Sequence, residues 1–126
     1  MEEPRRLKRI MIVDDNASLR KITRKILETA GYEVLEAPDG ATAVDLMLKE
    51  KLDMVIQDLL LPDITGYDLV LKLRAKSDNP HLPILAFTSF LEQQDGPWDT
   101  QSGFTALLVK PLPADDLLAA VRAHMR

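Results

Sequence analysis

The chain has 126 residues, 46% of them hydrophobic, which fits one soluble globular domain that buries most of its apolar surface. A net charge of −4 gives no basic nucleic-acid footprint, and the absence of cysteine excludes a disulfide scaffold and thiol chemistry, which suits a reducing, cytoplasmic compartment. No apolar run is long enough to span a bilayer, and residues 1–6 lack the apolar core of a secretory signal.

Residues 9–13 are a short continuous apolar run, a first strand that ends at Asp14, Asp15 and Asn16. The basic residues Arg5, Arg6, Lys8 and Arg9 read as a solvated lead-in to it. Leu19, Ile22, Ile26, Leu27 and Ala30 then recur with the spacing of one helical face, and Gly31 supplies a left-handed stop. Residues 33–36 predict a second strand. Pro38, Asp39 and Gly40 turn the chain into a second helix, with Ala43, Val44, Met47 and Leu48 as its apolar stripe.

Residues 54–58 predict a third strand, followed by a loop through Pro62 and Gly66 and a helix with Leu69, Val70 and Leu73 inward. Residues 83–88 and 106–110 predict the fourth and fifth strands. A helix is expected between them, but Gly96 and Pro97 fall inside it. A proline in a helix interior costs about 3 kcal/mol, so this helix is expected to be short, late or irregular. Pro113 opens a last helix, where a first-turn proline costs little and Asp115 and Asp116 suit the dipole. Leu117, Leu118, Val121 and Met125 form its buried side. No linker, repeat or low-complexity tract divides the chain, so it reads as one domain over residues 1–126, with a core of about 7–125.

Alternating short apolar runs and amphipathic helices imply an α/β fold, a parallel sheet covered on both faces. Right-handed crossovers make that sheet doubly wound, with its ligand crevice beyond the C-terminal strand ends. The residues at those ends are Asp14 and Asp15, then Asp58, then Thr88 and Ser89, and last Lys110.

Carboxylates gathered in one crevice repel one another, by about 4 kcal/mol for a contacting pair at an effective dielectric near 20. Lys110 is too little to neutralise three. A hard divalent cation with oxygen ligands offsets the charge, and a protonated carboxyl is the other escape. If a phosphoryl group is added, a carboxylate serves as nucleophile, the cation and the lysine share the charge on the phosphoryl oxygens, and the Thr88 hydroxyl donates to one of them. No separate general base is needed, because an ordinary carboxylate is already ionised at neutral pH.

These residues resemble the response-regulator receiver family of two-component signalling, in its chemotaxis-regulator-like form. The marks are the acidic pair Asp14 and Asp15, the strand-end Asp58, the turn from Pro62 to Gly66, the strand-end Thr88 and the dipeptide Lys110-Pro111. The resemblance implies a flavodoxin-like, doubly wound five-stranded parallel sheet in the order 2-1-3-4-5, with helices on both faces. It implies Asp58 as the phosphorylated aspartate, Asp15 as a direct Mg2+ ligand, Asp14 acting through water, and the Leu60 backbone carbonyl as a further ligand. It also implies Lys110 as the ion pair of the phosphoryl group, Thr88 as the moving switch, and a cis Lys110-Pro111 bond. The implied partner is a histidine kinase or phosphotransfer protein, and acetyl phosphate is a small-molecule donor. The implied output or homodimer face is built from the fourth helix, fifth strand and fifth helix. The domain would catalyse only its own phosphorylation and dephosphorylation.

The chain departs from the family at Leu107, where an aromatic partner of the threonine switch is usual. Further departures are Gly96-Pro97, Ser89 and Leu112. Leu60 and Phe90 are apolar where the family tunes water access, so a long-lived aspartyl phosphate is expected.

Other readings stand beside this one. Asp14 and Asp15 suit helix capping. His81 and His124 lie far apart, which disfavours a histidine metal site. Trp98 suits local packing as well as a contact. A metal-dependent phosphohydrolase would carry a second aspartate where Leu60 stands. A flavin or nucleotide binder would need a phosphate-cradling loop in place of Asp14 and Asp15. A degenerate docking module would have lost the acidic residues that remain here.

Overall fold

Apolar runs covered on both faces become parallel strands, and the computed structural model, which describes residues 7–89 and 103–125, contains five of them. They are β1 (Arg9–Val13), β2 (Glu33–Ala37), β3 (Met54–Gln57), β4 (Ile84–Ser89) and β5 (Ala106–Lys110), in the order β2-β1-β3-β4-β5. The helices are α1 (Ala17–Thr29), α2 (Gly40–Lys49), α3 (Gly66–Lys76) and α4 (Ala114–His124). The expected sheet order and the helices on both faces are therefore present.

The two-residue period of each strand splits the core. Val55, Ile84 and Ala86 face α2 and α3, where Ala43, Met47, Leu69, Val70 and Leu73 are buried. Ile10, Ile12, Ile56, Leu85 and Phe87 face α1 and α4, against Leu27, Leu117 and Val121. Two helical stripes differ from expectation. Ile22 is 59% exposed, and Thr23, a turn before Leu27, takes the inward place. Leu48 is 61% exposed, because α2 buries Gly40, Ala43 and Met47, with Val44 and Leu46 packed alongside. Other members of both stripes face inward as expected: Leu27, Ala43 and Met47 are buried, and Ile26 and Val44 pack against the core. Strand ends differ by a residue: β2 reaches Ala37, β3 stops at Gln57, and β4 runs from Ile84 to Ser89. Pro113 precedes α4 as its N-cap residue. The expected helix between β4 and β5, with Phe90, Gly96, Pro97 and Trp98, lies outside the described residues, as do Arg5 and Arg6.

Three helix starts are capped by side chains: Asn16 accepts from the Leu19 amide, Asp39 from Thr42 and Thr65 from Asp68. Capping by Asn16 leaves Asp14 and Asp15 free for other work. Asp63, in the loop after β3, accepts the Gly40 and Ala41 amides at 2.9 Å each. The Gly40 bond leads in pulling its pKa below the usual carboxylate range. That loop is thereby fastened to the start of α2.

The same loop folds back on its own origin. Leu60 pairs with Thr65 in an antiparallel bridge, and the Gly66 amide donates to the Leu59 carbonyl at 2.8 Å. A Cβ on Gly66 would lie 2.5 Å from the Leu59 Cα and 2.9 Å from the Asp58 carbonyl oxygen, so glycine is required here by space. On the opposite side Glu36 accepts from Arg24 (2.8 Å) and Arg20 (3.1 Å), and the Arg24 bond chiefly lowers its pKa.

Gly66→Ala should lower the unfolding free energy by about 1–3 kcal/mol, read from urea denaturation, because backbone must move to admit the methyl. Glu36→Gln tests the arginine pair. A carboxylate with a depressed folded pKa stabilises above its unfolded value of about 4.3 and loses that contribution as pH falls through the folded value. The stability gap between wild type and variant should be flat above about pH 5 and close on further acidification; a gap independent of pH would count against the pairing.

Candidate functional site

In-register parallel pairing carries the acidic residues to one edge. Val13 lies opposite Gln57 across β1 and β3, so the next residues, Asp14 and Asp58, leave the sheet side by side. The Asp58 amide donates to the Val13 carbonyl at 2.9 Å, and the Asp14 amide to the Ala37 carbonyl at 3.1 Å. Both carboxylates are buried, while Asp15 is exposed. One carboxylate oxygen from each of Asp14, Asp15 and Asp58 lies within 4.8 Å of the others.

Lys110, at the end of β5, extends across β4. Its Nζ sits 2.9 Å from Asp14 Oδ2 and 2.9 Å from Asp58 Oδ2, and 5.4 Å from the centre of the Phe87 ring. At that distance the ring face attracts the cation. Burial acts to lower the lysine pKa, but the hydrogen bonds and charges of Asp58 and Asp14 prevail and raise it. The bridge is thus an ammonium at neutral pH. The Lys110-Pro111 bond is cis.

The remaining carboxylate oxygens have backbone partners. Asp58 Oδ1 accepts the Leu59 amide at 2.7 Å and the Leu60 amide at 3.3 Å. Asp14 Oδ1 accepts the Asn16 amide at 2.9 Å, and Arg20 Nη1 donates to the Asp14 carbonyl at 2.7 Å. No hydrogen bond or ion pair of the Asp15 carboxylate exists among the described residues.

Thr88, one strand from Asp58, is fully buried, and its hydroxyl has no hydrogen-bond partner among the described residues. Leu107 is partly buried on the α2/α3 side of β5, opposite Ala86. Leu112 packs on the other core layer, and Ser89 stands opposite Lys110. His81 is exposed and His124 ends α4. Three residues escaped sequence reasoning. Arg20 carries no mark in the sequence, and Asn16 stands with Asp14 and Asp15 at the end of the first strand. Gln57 was hidden inside an apolar strand, although a polar residue in a buried strand is itself a signal.

The donor set can be tested against a metal directly. Three formal carboxylate charges against one ammonium leave an excess of two negative charges, gathered on hard oxygen donors. That matches a divalent cation such as Mg2+, which accepts one or two carboxylates and keeps several waters.

Comparisons with known proteins agree with this geometry. The family profile described as "Response regulator receiver domain" matches residues 10–122. The chain is 36% identical over 126 residues to a "Probable transcriptional regulator ycf27" of Galdieria sulphuraria, covering 100% of the chain and 48% of that protein. It is 28% identical over 118 residues to "Polar-differentiation response regulator DivK" of Brucella anthropi, covering 94% of the chain and 96% of that protein. The chain thus spans about half the length of the first relative and nearly all of the second. Among solved structures, a CheY-like receiver domain protein from Methanospirillum hungatei JF-1 superposes with a TM-score of 0.85 at 29% identity, covering 94% of this chain and 93% of that one. The receiver domain of sensor histidine kinase PA1611 from Pseudomonas aeruginosa PAO1, with magnesium coordinated in its active-site cleft, gives 0.84 at 28% identity, covering 94% and 98%.

Asp15→Asn removes a charge that Lys110 does not offset. Without divalent metal, the unfolding temperature should rise by roughly 2–4 °C, the shift expected of a modest relief of repulsion. The further rise on adding Mg2+ should shrink relative to wild type. A variant that melts lower than wild type in chelator would contradict the repulsion argument.

Proposed function

The chain belongs to the response regulator receiver domain family, and from that premise we propose that it is a signalling switch phosphorylated on Asp58. The observation that carries the proposal is the setting of Asp58. Its carboxylate is buried, oriented by two backbone amides, tied to a lysine, and grouped with two further carboxylates. The donor is a phosphohistidine on a histidine kinase or phosphotransfer protein, or a small acyl phosphate such as acetyl phosphate. An Asp58 oxygen attacks phosphorus; from phosphohistidine the phosphorus–nitrogen bond breaks and the imidazole leaves with its electron pair and takes up a proton, and from acetyl phosphate the phosphorus–oxygen bond breaks and acetate leaves. The product is an aspartyl phosphate.

Each remaining residue has one task. Lys110 Nζ, already shared between Asp14 and Asp58, follows the new negative charge onto a phosphoryl oxygen. Thr88 supplies its unpartnered hydroxyl to another. Among the described residues Asp15 has no partner competing for its oxygens, which suits direct metal ligation. Asp14, whose Oδ2 is held by Lys110, takes a role through water in this reading. The Leu60 carbonyl and Asp58 itself complete the protein ligands. Bound Mg2+ supplies charge neutralisation for the transferring phosphoryl group.

The domain acts on itself and turns over no outside substrate. Leu60 fills the place where a phosphohydrolase would need an acid, and its side chain offers no polar guide for an attacking water, so the phosphoryl group persists. β5 and α4 form part of the surface read by a partner or a second copy.

Incubation with acetyl phosphate and Mg2+ should add one phosphoryl group, mapped by peptide mass spectrometry to Asp58. Asp58→Asn should remain folded and unlabelled. Stoichiometric labelling of that variant would refute the assignment, and decay within seconds in Mg2+ would refute the slow hydrolysis.

A further inference from the structure

The side chain before the phosphoacceptor is a polar residue in an apolar strand. Gln57 ends β3 and is fully buried. Its Nε2 donates to the Gly66 carbonyl, the first residue of α3, at 2.8 Å. That bond fixes the orientation of the carboxamide, since a flipped group would set two carbonyl oxygens against each other. Oε1 therefore points away from Gly66, and it has no hydrogen-bond partner among the described residues.

A second orphan lies on the same face of the next strand. Strand pairing sets Gln57 opposite Ala86 and Ala86 opposite Leu107. Thr88 is two residues beyond Ala86, so it shares that face and stands diagonally adjacent to Gln57. Ala86 between them is small, and Leu107 offers no hydrogen bond. Thus a hydroxyl that lacks an acceptor and an amide oxygen that lacks a donor sit on neighbouring strand ends, both withdrawn from water. Buried polar groups are costly to leave unpaired, and these two are complementary.

We propose that Gln57 is a positioning residue of the switch: its open Oε1 is the acceptor into which the Thr88 hydroxyl, unpaired in this structure, turns while Asp58 is unphosphorylated, and which it gives up for the phosphoryl group on Asp58. The inference rests on the reading of Asp58 as phosphoacceptor and extends it. Because Nε2 of the same carboxamide holds Gly66, departure of Thr88 changes the load on the start of α3. The message from Thr88 is then carried by a hydrogen bond toward α3, on the side of the sheet where Leu107 has no polar group to receive it.

The test uses beryllofluoride with Mg2+ as a phosphoryl mimic on the full chain, with affinity followed by fluorine NMR. Gln57→Met removes the competing acceptor at similar volume. It should tighten beryllofluoride binding by roughly three- to tenfold, the worth of one hydrogen bond. In a Thr88→Val background, the same substitution should leave the affinity unchanged. An equal change in both backgrounds would make Gln57 a purely structural residue and overturn the proposal, as would no change in either.

A second measurement needs no Gln57 variant. The Gln57 side-chain amide resonances of the wild-type domain should shift on loading with beryllofluoride, and should stay in place in Thr88→Val at saturation. Identical shifts in both would overturn the proposal. Failure of wild type itself to bind beryllofluoride would instead refute the Asp58 reading beneath it.

Discussion

Lys110 reaches across a neighbouring strand to set one ammonium 2.9 Å from Asp14 and 2.9 Å from Asp58, and the crevice is arranged around that bridge. Two buried carboxylates on adjacent strands would otherwise face each other in a region of low dielectric, where their repulsion is several times that in water. The lysine is itself constrained. Its charge rests over the Phe87 ring, and its stem is fixed by in-register pairing of β5 with β4. Desolvation works against the ammonium, yet the paired carboxylates more than offset it. Because Lys110 is engaged twice, Asp15 is left to seek a partner from solution. A site in which one ammonium holds two carboxylates and two negative charges remain over is prepared for a divalent cation without collapsing in its absence.

The backbone around the bridge is held from both sides. Arg20 fixes the Asp14 carbonyl and shares Glu36 with Arg24, which ties α1 to β2 next to the first acidic residue. The loop after Asp58 is fixed by contacts that side-chain chemistry alone would not suggest. Its first amides are spent on Asp58 Oδ1, its Asp63 caps α2, and Gly66 permits it to close on itself. An event at Asp58 Oδ1 therefore acts on a loop whose far end is anchored to two helices. Rigid attachment at both ends is what allows a change of one bond to be transmitted as displacement.

Much of this was legible in the residues. The continuous apolar runs at residues 10–13 and 54–56 could only be buried strands, and alternation with helical stripes left a parallel sheet as the economical arrangement. Once the strands were placed, Asp14, Asp15, Asp58, Thr88 and Lys110 had to meet at their C-terminal ends, because a parallel sheet points all of those ends one way. Other features depended on three-dimensional pairing and left little trace. Ile22 and Leu48 belong to helical stripes by type but face solvent, since Thr23 takes the inward place in α1 and Leu48 falls beyond the buried face that Ala43 and Met47 define in α2. The cap that Asp63 places on α2 joins residues more than twenty apart, and no local pattern announces it. Hydrogen-bond accounting for Gln57 requires knowing what surrounds it.

Gln57 shows why such accounting bears on function. An apolar residue there would satisfy the core at no cost in desolvation, and burying a carboxamide with an open acceptor lowers stability. A fold dominated by burial has no reason to keep it unless the open position is used. Thr88 presents the same anomaly two residues along the next strand from the Gln57 partner Ala86. Unpaired buried polar atoms on Gln57 and Thr88, on one face of neighbouring strands, are hard to reconcile with packing alone, and they lie beside the sheet edge that carries Asp14 and Asp58. A switch needs two arrangements of similar free energy, and an incompletely satisfied hydrogen-bond network supplies them where close-packed hydrocarbon cannot. In the proposed switch, the stability surrendered at these positions is what keeps Thr88 able to move.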